Sequence, residues 1–84
     1  MGKFPRDAPK RQVISALEKL GFELARDREH LQMRRREPDG TFTPLTMPSH
    51  RFIKGSTLRM ICTQAGIARE DFLRAFDETR YFHV

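Results

Sequence analysis

An α+β fold, one small antiparallel sheet with helices on a single face, is what this sequence predicts. Three observations carry the prediction. The apolar period runs 3.6, then 2, then 3.6 again along the chain, and glycine-bearing breaks at Gly21, Glu37-Pro38-Asp39-Gly40 and Gly66 fall between the segments. A third is size: 84 residues, 38% of them hydrophobic, suffice for one core and not for two. We therefore read residues 1–84 as a single domain, with 1–8 as a loose leader, 9–78 as the domain proper and 79–84 as a tail.

Pro9 suits a first helical turn, with Asp7 or Ala8 near the cap. Val13, Ile14, Leu17 and Leu20 recur at helical spacing and Gly21 follows as a stop, which predicts a helix over 9–20. Phe22 and Leu24 then alternate with polar neighbours in a strand ending near Arg26. Leu31 and Met33 alternate in a second strand, from His30 to Arg36. The Pro-Asp-Gly turn makes a hairpin with a third strand around Leu45 and Met47, whose flanking Pro44 and Pro48 place it at an edge. Residues 49–54 form a basic connector. Ser56 or Thr57 can cap a second helix, where Leu58, Ile61, Cys62 and Ala65 form one stripe and Gly66 ends it. Glu70 and Asp71 suit the first turn of a short third helix containing Phe72 and Phe76. The order is α-β-β-β-α plus a short helix. Phe22, Leu24, Leu31, Met33, Leu45 and Met47 should share the covered face of the sheet.

Sixteen Lys and Arg against 11 acidic residues give a net charge of +5. Residues 26–59 hold eight basic and four acidic side chains, so most of the excess sits in the central stretch. A polyanionic partner fits that balance. A lone cysteine, Cys62, cannot form an intrachain disulfide, and its place on the apolar stripe reads as a core thiol. No apolar run has the length of a signal peptide core or a membrane span, so a cytoplasmic location and no membrane partner are expected. No zinc spacing, glycine-rich nucleotide loop or Ser-His-Asp order stands out, so neither a metal nor a cofactor is expected.

Alternation has a consequence for His30. If Leu31 and Met33 point into the core, then His30, Gln32, Arg34 and Arg36 point to the open face. Arginines grip phosphate oxygens through paired, charge-assisted bonds, and an imidazole exchanges protons near neutral pH. RNA supplies its own nucleophile, the 2′-OH, so such a row could serve RNA cleavage without a metal, with Gln32 or Arg34 meeting the developing charge. The plainer alternative is an ordinary exposed histidine. A second candidate is the helix start at Lys54, Gly55 and Ser56, with Arg51 nearby. Free amides there could receive phosphate and Gly55 would allow its close approach, although a simple capped helix start has the same sequence. Arg35 falls on the opposite side from its neighbours, either interfacial at the sheet edge or reaching to solvent. His50 is a loop histidine, a phosphate contact or second proton carrier on one reading and an ordinary loop residue, the commoner case, on the other.

The segment from Val13 to Phe22, His30 opening a strand, Pro38-Asp39-Gly40, Thr46-Met47-Pro48-Ser49-His50, Lys54 to Arg59, Ile61 and Gln64 to Ile67 together resemble the HicA (YcfA-like) toxins. The resemblance spans about residues 10–73. It implies a fold similar to the double-stranded-RNA-binding domain, a metal-independent mRNA interferase activity, and His30 at the position of the catalytic histidine. It also implies neutralisation by a HicB-like antitoxin. Arg28-Glu29 stands where the family commonly has Gly-Ser before its histidine, putting a cation and a carboxylate beside the same phosphate.

The expected function is thus an RNA-cleaving toxin, with His30 catalytic and Arg28, Gln32, Arg34, Arg36, Arg51, Lys54, Gly55 and Ser56 on RNA. Two alternatives use the same residues: a non-catalytic RNA-binding module, which would bind without forming product, and a basic protein-interaction domain, which would bind no RNA at low salt.

Overall fold

The computed structural model describes residues 3–79. It contains β1 (Asp7–Pro9), α1 (Lys10–Lys19), β2 (Phe22–Asp27), β3 (His30–Arg36), β4 (Phe42–Pro48), β5 (Phe52–Lys54), α2 (Gly55–Ala65) and α3 (Arg69–Thr79). Strands β2, β3 and β4 form an antiparallel sheet in that order, so the proline-bounded β4 lies at an edge as the prolines require. The middle strand, β3, contains neither glycine nor proline and can satisfy ladders on both sides.

The core lies between one face of this sheet and the helices. Leu31, Met33, Leu45 and Met47 meet Val13 and Leu17 of α1, Leu58 and Ile61 of α2, and Phe72 of α3 in one buried cluster. Burying a side chain of this size contributes about 1.5–3 kcal/mol. Leu24 departs from the expected core face. It sits opposite Met33 but is 45% exposed, because β2 is the other edge and the helices cover only its Phe22 end.

The segment expected to be a loose leader is ordered from Phe4 onward. β1 pairs antiparallel with β5, Ala8 against Ile53, both buried. The Phe4 ring lies 6.0 Å from that of Phe72. This second, two-stranded sheet also caps both helices that leave it. The first amide of α1, at Lys10, donates to the Arg51 carbonyl at 2.9 Å, and the first amide of α2, at Gly55, donates to the Arg6 carbonyl at 2.9 Å. No side chain caps either helix; Ser56 and Thr57 lie inside α2 and Lys54 occupies its cap position. Gly66 takes a left-handed φ of 70° and ends α2. At eleven residues, α3 is as long as α2 rather than short. Thr79, expected in the tail, is buried at its end, and the remainder of the expected tail lies outside the described residues.

Candidate active site

β3 alternates as its sequence dictates. Leu31 and Met33 are buried, while His30, Gln32, Arg34 and Arg36 are exposed on the face away from the helices. His30 begins the strand and pairs with Pro48 of β4. At about 3.3 Å per residue, Gln32 stands about 7 Å along the strand from His30, Arg34 about 13 Å and Arg36 about 20 Å. Arg36 is therefore the furthest of the row from a phosphate held at His30. Arg34 is also engaged within the protein: its Nε donates to Glu23 Oε1 at 2.9 Å and its guanidinium lies 4.4 Å from the centre of the Phe42 ring. Held in this way, the Arg34 guanidinium is directed to Glu23 and Phe42.

A bulge in β2 brings other groups to that end. The register slips between Leu24 and Arg26, so Arg26 stands opposite Gln32 and joins the open face. The same slip turns Asp27 to stand opposite Leu31, on the side of the helices. There the Lys10 ammonium donates to Asp27 Oδ2 at 3.2 Å and to Ser49 Oγ at 3.0 Å, and the Ser49 hydroxyl donates to Asp27 Oδ1. The Ser49 hydrogen bond, then the Lys10 ammonium, hold the Asp27 carboxyl below the usual aspartate range. Two backbone bonds complete the corner: Ser49 N–H to the Glu29 carbonyl at 3.1 Å, and Arg28 N–H to the His30 carbonyl at 3.2 Å. The turn before His30 is therefore tied to the exit of β4 and to the first residue of α1. Arg28 and Glu29 make this turn with no positive φ, so the backbone needs no glycine here.

Arg35 faces the helix side. Its guanidinium lies 4.8 Å from the centre of the Phe22 ring and its Nε donates to Glu37 at 2.9 Å, while Thr43 Oγ1 donates to the same carboxylate at 2.6 Å. It is a half-buried strut at the sheet edge.

Lys54, Gly55 and Ser56 border a cleft of about 850 Å³ with Lys3, Arg6 and Arg59. Lys54 and Ser56 are exposed toward it, and Arg51 is exposed in the connector before β5. Gly55 serves a different purpose from the one its sequence suggests. Its amide is bonded to Arg6, and a Cβ there would stand 2.7 Å from the Pro5 carbonyl oxygen. The close approach that glycine permits is made by the chain's own β1 segment. The cleft gains Lys3 and Arg6 through that packing, two cations that nothing in the local sequence places beside Lys54. Cys62 is 4% exposed in the core, and burial pushes its thiol up to about 11, away from nucleophilic use.

Among the described residues no helix is long and apolar enough to cross a membrane. The family model described as the HicA toxin of bacterial toxin–antitoxin systems matches residues 11–67. No curated protein and no solved structure matches the chain.

Proposed function

The chain belongs to the HicA toxin family, whose members are the RNA-cleaving halves of toxin–antitoxin pairs, and from that premise we propose that it cleaves mRNA by metal-independent acid–base catalysis at His30. The observation that carries this reading is the exposure of His30 at the head of β3, on the open face and beside Arg26 and Arg28 rather than beneath the helices. As the 2′-oxygen attacks the adjacent phosphorus, the imidazole takes its proton. The bond to the 5′-oxygen breaks, and that oxygen leaves with a proton from imidazolium or water. Help of this kind is worth roughly 10²–10⁴-fold. The Lys10, Asp27 and Ser49 cluster supports the reading by fixing the backbone from which His30 projects.

Along the surface, Arg26, Arg28 and Gln32 stand nearest the reacting phosphate, and Arg34 and Arg36 lie beneath nucleotides two or more further on. Arg51, Lys54 and Ser56 hold backbone phosphates on the other side. A HicB-like antitoxin would neutralise the enzyme by covering this charged surface. The decisive comparison is induced expression of wild type and His30→Ala, with total RNA followed over time. Wild type should arrest growth and deplete message in the presence or absence of EDTA in cleavage assays, and His30→Ala should lose cleavage by 10²-fold or more with an unchanged melting curve. Equal cleavage by the variant refutes the mechanism. A second reading, a non-catalytic RNA binder, is favoured by the basic cleft at Lys54 and Arg59, which needs no His30; binding without product would select it.

A further inference from the structure

Four large apolar side chains are exposed among the described residues: Leu24, Phe42, Phe52 and Met60. Phe42 carries the Arg34 guanidinium on its ring. Phe52, in β5, is 52% exposed. With Pro48, His50, Ile53, Lys54 and Thr57 it lines a cleft of about 110 Å³. Pro48 is the cross-strand neighbour of His30, and Lys54 also borders the basic cleft at the start of α2. This small cleft therefore lies between the proton-transfer group and the cationic surface.

We propose that it is a nucleobase subsite, in which one unpaired base of the RNA stacks on the Phe52 ring next to the phosphate presented to His30. The proposal rests on the nuclease reading and deepens it. Size is the first argument, because a cleft of about 110 Å³ matches a single planar heterocycle. Chemistry is the second. An aromatic face offers sequence-tolerant stacking, and the Thr57 hydroxyl and His50 imidazole offer hydrogen bonds to a base edge. Charge is the third: none of the six lining residues is acidic, and Lys54 stands among them with Arg51 next along the chain. A neutral apolar ligand would use the ring but not the cations, whereas a nucleotide joins a planar ring to an anion and uses both. A stacked base must be splayed out of any helix, so the subsite selects single-stranded RNA over duplex.

The test uses a single-stranded 2′-O-methyl RNA, which lacks the nucleophile, bearing one 2-aminopurine whose emission falls on stacking. Wild-type protein should quench the probe, and a duplex of the same sequence should bind more weakly. Phe52→Ala should abolish the quench and weaken binding roughly 5- to 100-fold. Phe52→Leu, which keeps apolar bulk on the same strand, should also lose the quench. In cleavage of unmodified RNA, Phe52→Ala should flatten the base preference next to the cut while His30 still turns over. Unchanged quenching and affinity in both Phe52 variants would overturn the subsite and leave the nuclease reading standing. Cleavage by His30→Ala would instead overturn the mechanism alone, since the quench is read without turnover. Absence of any RNA binding by wild type would overturn both.

Discussion

The carboxylate at position 27 is held below its ordinary range by Ser49 and Lys10, so its effect on stability has a definite sign. Its folded pKa lies below the unfolded value near 3.8; the stabilisation is complete above that value and disappears as pH falls through the folded one. Glu37, bonded to Thr43 and Arg35, and Asp39, bonded to Thr41, shift in the same direction. Melting temperatures of wild type and Asp27→Asn should therefore differ at pH 6 and begin to converge only as the pH falls below about 4. A constant offset down to pH 2.5 would contradict the assignment. The buried Cys62 thiol should resist iodoacetamide at pH 8 in the native protein and react promptly in urea. At this scale the direction of His30 was legible, because strict alternation in β3 allows only one face. The Lys10, Asp27 and Ser49 cluster was not. Its members lie 17 and 39 positions from Lys10, and the bulge near Ala25 reverses the parity from which Asp27 would be assigned a face.

Among elements, the edge position of β2 separates two leucines of similar appearance. Leu31 is fully buried and Leu24 is half exposed. Leu31→Ala should cost about 2–5 kcal/mol in urea denaturation, and Leu24→Ala less than about 1 kcal/mol. Equal losses would mean that the helices extend over β2. Gly55→Ala drives a methyl toward the Pro5 carbonyl and should cost about 1–3 kcal/mol, through the β1–β5 pairing rather than through α2 itself. Helix spans were legible from their stripes and glycine stops. The two short strands were not, since three residues carry no readable period. Their pairing also explains why Ser56 and Thr57 misled as caps: the backbone carbonyl of Arg6 already accepts from the first amide of α2.

For the whole molecule, the net charge of +5 matters by where it gathers. Binding of single-stranded RNA should weaken linearly in log salt, by about 0.7 in slope for each phosphate neutralised. Lys54→Met should lower that slope by about 0.7 without altering the melting temperature; an unchanged slope would remove Lys54 from the RNA path. The α+β class followed from the change of period, but the continuity from His30 through Phe52 to Lys54 depends on two sheets meeting, which no local pattern encodes.

The ribbon of β1 and β5 has a practical corollary. It carries Arg6, and Lys3 just before it, into the lining of the basic cleft beside Lys54 and Arg59. An affinity handle fused just ahead of Lys3 should crowd that cleft, and tagged and untagged preparations are expected to disagree in RNA affinity while agreeing in fold.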